Sequence, residues 1–150
     1  MEVTIDEPIQ LSFPLPRSLD TKIYLRLTIK SKVILLFLTT AAADEGDQAA
    51  PMGSFVYALP NKCSPSQPLS TTIYSVEATL EFTTRLAKIL AKKTQMPVYV
   101  GNSISFANTG LGGTVEEEME AFKKVVDVAL DKLQGVIKSP GALPNGTGSS

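Results

Sequence analysis

The chain has 150 residues and a mass of 16.1 kDa, one domain's worth and enough to bury a core without disulfides or metal. Its 14 Lys and Arg against 15 Asp and Glu leave a net charge of -1, so charge gives no reason to expect nucleic acid or an anionic membrane as a partner. With no His, no Trp and one Cys, Cys63, an intrachain disulfide, Cys/His zinc sites, His-dependent triads and Cys-His dyads are all excluded.

The opening Met1-Glu2-Val3-Thr4-Ile5-Asp6-Glu7 is acidic and alternates like a strand, unlike a secretory signal. Ile9, Leu11 and Phe13 then alternate, and Pro14 and Pro16 end that strand. Ile23, Leu25, Leu27 and Ile29 alternate against Lys22, Tyr24, Arg26, Thr28 and Lys30, which predicts a strand with one wet face. Ser31-Lys32 is short enough for a hairpin into a third strand, Val33 to Leu38. That third strand does not alternate, so both its faces need cover, and a second subunit is the natural candidate for one of them. It is also the longest apolar stretch, far short of the roughly 20 residues that span a bilayer.

Residues 41 to 53 and Pro60 to Pro68 read as loops, with short strands at Phe55 to Leu59 and Thr71 to Ser75. A helix from Val76 to Thr94 puts Phe82, Leu86, Ile89 and Leu90 on one side and Glu81, Arg85, Lys88 and Lys92 on the other. Met96-Pro97 stops it, and Val98-Tyr99-Val100 begins a strand that leads towards Ile104 and Phe106. The last helix starts with a capping-box spacing, Thr114 and Glu117, and extends about 37 Å to Lys138 at about 1.5 Å per residue. Val115, Met119, Phe122, Val126, Ala129, Leu130, Leu133 and Ile137 form its expected apolar stripe, and Glu116, Glu117, Glu120, Lys124, Asp127 and Asp131 its polar side. The whole predicts an α+β two-layer sandwich: a mainly antiparallel sheet of about six strands with two main helices, one domain over 1–138 and a disordered tail over 139–150.

The candidate chemical motifs dissolve on inspection. Gly110-Leu111-Gly112-Gly113-Thr114 precedes a helix but has no Lys, and Glu116, Glu117 and Glu118 in the first turn would repel phosphate. Those acids suit a helix N-terminus electrostatically and need no catalytic role. Cys63 has Lys62 beside it but no activating base, and no Ser-x-x-Lys pair occurs. Asn145-Gly146-Thr147 is a glycosylation sequon, read as accidental without a secretory signal. No catalytic residue, cofactor or metal ligand is therefore assigned.

Three segments in order, Thr84 to Thr94 (TRLAKILAKKT), Pro97 to Asn102 (PVYVGN) and Glu116 to Phe122 (EEEMEAF), resemble the proteasome assembly chaperone 4 family, and its fungal members in particular. The N-terminal strands match that family in pattern more than in letters, through Ile23 to Leu27 and the apolar strand after it. The segment from Ala41 to Gly53, the loop from Ser64 to Pro68 and the extension beyond Lys124 exceed the compact vertebrate pattern. The resemblance implies a non-catalytic chaperone that forms a heterodimer with a proteasome assembly chaperone 3 family member. It implies that the pair binds α-type 20S proteasome subunits, chiefly the fifth, during α-ring formation. The same reading expects no nucleic acid, no membrane, a cytoplasmic location with the nucleus as a second place, and leaves self-pairing of the isolated chain open. Val33, Leu35 and Phe37 are the expected pairing contacts; Arg85, Lys88 and Lys92 and the acids Glu116, Glu117 and Glu120 are expected to touch the proteasome subunit. The rival reading is a small-ligand-binding or enzymatic α+β domain with a pocket between helices and sheet, using Tyr57, Tyr99 and Glu81.

Overall fold

A computed structural model describes residues 8–15, 20–42, 53–106 and 114–137. In chain order these form β1 (Ile9–Pro14), β2 (Thr21–Lys30), β3 (Val33–Ala42), β4 (Ser54–Leu59), β5 (Leu69–Tyr74), α1 (Glu77–Thr94), β6 (Val98–Ser103) and α2 (Val115–Ile137). The strands make one six-stranded sheet in the order β1-β2-β3-β6-β4-β5. Only the β3–β6 pairing is parallel, and the other neighbours are antiparallel. The expected α+β architecture of about six strands and two helices is the observed one.

Local chemistry explains the joints. Ser31 and Lys32 both adopt left-handed backbone, φ 52° and 65°, the pattern of a two-residue turn whose twist matches the strands it connects. Lys30 therefore faces Val33 across the hairpin. Helix α1 ends where Gln95 turns left-handed at φ 55° and donates its N–H to the Ala91 carbonyl at 2.8 Å, with Pro97 barring continuation.

Alternation assigns the faces. Ile23, Leu25, Leu27, Ile29, Ile34, Leu36, Val56, Ala58, Val98 and Val100 all point into one core and are buried. Phe82, Leu86, Ala87, Leu90 and Ala91 of α1 fill the same core, lying over β4 and β6. Ala121, Val125, Ala129 and Leu133 of α2 complete it, with Lys124 Nζ 6.0 Å from the centre of the Phe13 ring at the β1 side. Deleting such a fully buried side chain, Leu36 for example, removes about 2–5 kcal/mol of stability. Both helices thus cover one face of the sheet, and the described residues place no helix on the other.

Several expectations need correction. Strand β3 continues through Ala41 and Ala42, inside the expected loop, because they still pair with Lys22 and Thr21. Strand β5 begins at Leu69, two residues before its expected start. On α2 the buried line is Glu117-Ala121-Val125-Ala129-Leu133, while Val115 and Met119 of the expected stripe are exposed. Glu117, expected on the polar side, is 1% exposed. The remainder of the 41–53 segment up to residue 52, the glycine run at 110–113 and the tail at 139–150 lie outside the described residues.

Candidate interaction surface

The helix-free face is built from the other parity of the same strands. In β3 it carries Val33 and Leu35, both half-buried, and Phe37, which is 44% exposed. Register places Arg26 of β2 beside Phe37, Tyr99 of β6 beside Leu35, and Tyr57 of β4 beside Tyr99. The outcome is a row of rings across three strands. Phe37 and Phe55 stack at 6.0 Å, Phe55 and Tyr99 at 5.7 Å, and Tyr57 and Tyr99 lie 4.4 Å apart. Offset ring pairs at such separations add about 0.5–1.5 kcal/mol each beyond their burial, so the row is held as a unit.

Gly101 makes the row possible. A Cβ there would stand 2.7 Å from the Phe37 ring and 3.5 Å from the Phe55 ring, so only hydrogen leaves room for Phe37 to cross β6. Beside the row a groove of about 580 Å³ is lined by Tyr24, Arg26, Phe37, Thr39, Gly101 and Ser103 among others. Tyr24 is 41% exposed, so apolar surface continues from β3 onto β2. Lys22, Arg26 and Lys30 of β2 share this face with the apolar row, and an exposed apolar patch set among polar groups marks a surface for protein-protein contact.

The helix layer carries the other expected residues. Arg85, Lys88 and Lys92 are exposed on α1, and Arg85 Cζ sits 5.5 Å above the Phe122 ring of α2. Glu116 is exposed and Glu120 half-buried at the start of α2. Glu117 does not join them. Its Oε1 accepts a hydrogen bond from the Thr114 N–H at 3.2 Å, and its own N–H donates to Thr114 Oγ1 at 3.3 Å, closing the predicted capping box inside the fold.

The residues of the rival reading do not converge. Tyr57 and Tyr99 belong to the helix-free face, whereas Glu81 is exposed on α1, on the opposite side of the sheet. The space between helices and sheet holds the packed core. Among the described residues no group of three or more His, Cys, Asp or Glu side chains could hold a metal ion. Cys63 is free and exposed, its N–H donating to Asn61 Oδ1 at 3.0 Å in a local turn. No described helix is long and apolar enough to cross a membrane.

The family model described as proteasome assembly chaperone 4 matches residues 22–104, more than half of the chain. The chain belongs to the proteasome assembly chaperone 4 family. The matched region runs from β2 past β6, so the family signature contains the whole aromatic row and α1 but neither β1 nor α2. Two of the three resembling segments, at 84–94 and 97–102, fall inside it, and the one at 116–122 lies beyond. A chain from a crystal structure of a novel chaperone complex for yeast 20S proteasome assembly has the same fold, with a TM-score of 0.60 at 13% identity over 87% of this chain and 97% of that one. No curated protein matches the sequence. Sequence reading named Phe37 as a pairing contact, gave Tyr57 and Tyr99 only to the rival pocket, and missed Phe55, whose signal was the alternation of Phe55 and Tyr57 with Val56 and Ala58 in β4.

Proposed function

We propose that this member of the family is a non-catalytic chaperone of 20S proteasome assembly that acts as half of a heterodimer. Its partner is a proteasome assembly chaperone 3 family member, docked against the helix-free face through Val33, Leu35, Phe37 and the rings beside them. The observation that carries the proposal is the aromatic row on that face, with Phe37 exposed and the other rings half-buried, in a chain whose family is defined across the same strands. A stable interface of ordinary size buries about 800 Å² on each side, which a six-stranded sheet face can supply. The pair then binds α-type subunits, chiefly the fifth, while the α ring forms, and Arg85, Lys88, Lys92, Glu116 and Glu120 on the helix layer are the side chains that touch them. The work is done by differential affinity: the chaperone favours an ordered ring intermediate and is released when a β-type subunit claims the same surface. The cytoplasm, and secondarily the nucleus, is where this would occur.

The test is affinity capture of the tagged protein from its own cells, with mass spectrometry of the co-eluting chains. A second small chaperone together with α-type subunits and an incomplete set of β-type subunits is the expected result. Recovery of neither, at bait levels that capture other stable complexes, overturns the proposal. Light scattering on the purified chain reports whether the same face also supports self-pairing.

A further inference from the structure

Val115 and Met119 are 71% and 51% exposed, although they continue the apolar periodicity of α2. The fold does not use them for its core. They border a cleft of about 430 Å³ between α1 and α2, with Phe82 and Phe122 also in its wall, edge to face at 5.1 Å. Glu77, Glu81 and Glu118 reach the same cleft, against Arg85 and Lys123. Of those two cations, Arg85 is held 5.5 Å above the Phe122 ring, where part of its field is spent on the ring itself. The cleft is therefore an apolar slot with a carboxylate-rich edge, and its exposed methionine suits it to accept varied apolar anchors.

We propose that this cleft is a docking site for a short segment of a protein partner carrying an apolar anchor flanked by Lys or Arg. The anchor enters between Met119, Val115 and the Phe82–Phe122 pair, and the flanking cation meets the carboxylates of Glu81 and Glu118. Three carboxylates line the cleft against two cations, so the charge balance favours this occupant over an acidic segment. The site lies on the helix layer, on the opposite side of the sheet from the aromatic row, so both surfaces can be occupied at once. The proposal deepens the reading in which the helix layer touches a proteasome subunit, and rests on it for the nature of the partner.

The experiment measures fluorescence anisotropy of two labelled amphipathic peptides with the same leucine stripe, one flanked by lysines and one by glutamates, against the full chain. The lysine peptide is expected to bind about tenfold more tightly, with the difference shrinking in high salt. Met119→Ser, at an exposed position and expected to keep the wild-type circular dichroism spectrum, should weaken it about fivefold, and the double reversal Glu81→Lys with Glu118→Lys should invert the order of the two peptides. Equal binding of both peptides, preference for the glutamate peptide, or indifference to Met119→Ser overturns the site. Capture of α-type subunits by Met119→Ser is read separately. If the variant loses the peptide but captures those subunits as wild type does, the site stands and its link to subunit capture falls.

Discussion

Phe37 crosses the backbone of Gly101 on the neighbouring parallel strand, so closely that a Cβ on Gly101 would stand 2.7 Å from Cδ1 and 2.9 Å from Cε1 of the ring. Gly101→Val must expel that ring. Because Phe37 is already 44% exposed, it can swing outward, and the stability cost should stay near the lower end of overpacking, about 1 kcal/mol. Pairing with the sister chaperone should fall by about tenfold or more, since the first ring of the row is no longer in place. Urea denaturation beside a titration of the purified partner separates the two effects, and unchanged affinity would show that the row is not the contact.

Neighbouring residues of β3 offer a sharper contrast. Leu36 is fully buried beneath the helices, whereas Phe37 points away from them. Leu36→Asp places an unpaired carboxylate in the core and should unfold the chain, visible as loss of far-ultraviolet circular dichroism. Phe37→Asp should leave that spectrum and the thermal midpoint close to wild type yet abolish the heterodimer on size-exclusion chromatography. If Phe37→Asp still co-elutes with the partner, the pairing surface lies elsewhere.

Where sequence reading succeeded, one residue period dominated. Strand β2 alternates without interruption, and every one of Ile23, Leu25, Leu27 and Ile29 is buried. The unbroken apolar run of β3 correctly implied two apolar faces, one beneath the helices and one carrying Phe37. Helix α2 was legible as an element and misread only in its first turns. Phe122, Val126, Ala129, Leu130 and Leu133 of the expected stripe meet the core, but it also takes Glu117, Ala121 and Val125 and leaves Val115 and Met119 outside. Charge misled at Glu117 about its burial, although the capping-box spacing had pointed to its backbone partner, the Thr114 N–H. The aromatic row was hidden for a different reason: Phe37, Phe55 and Tyr99 lie on three strands that only the tertiary order β3-β6-β4 brings together.

The capping box makes a quantitative prediction about α2. Thr114→Ala removes the hydroxyl that accepts the Glu117 N–H and should cost about 1 kcal/mol, read as a lower denaturation midpoint with an unchanged slope. Glu117→Gln keeps an oxygen that can accept from the Thr114 N–H and should cost less than Glu117→Ala, which leaves that donor without its carboxylate partner. An equal loss for the Gln and Ala variants would mean that the negative charge, not the hydrogen bond, is what the fold requires at this position.

Helix α1 lacks a capping side chain of its own, since Val76 occupies its N-cap. The junction is instead tied from β4. Ser54 Oγ accepts the Val76 N–H at 2.9 Å and the Thr79 hydroxyl at 2.8 Å, and donates to the Val76 carbonyl at 3.0 Å, while the Ser54 N–H donates to Thr79 Oγ1 at 3.1 Å. Ser54→Ala takes the acceptor from the Val76 N–H while the Thr79 hydroxyl keeps its bond to the Val76 carbonyl at 3.3 Å, and should cost about 1 kcal/mol. Thr79→Val is nearly isosteric and removes the two bonds that join Thr79 to Ser54 while leaving those between Ser54 and Val76. Because the two residues share partners, the double variant should lose clearly less than the sum of the single variants. A double-mutant cycle by chemical denaturation measures this directly. Strict additivity would mean that the two hydroxyls act independently and not as one linked unit at the β4–α1 junction.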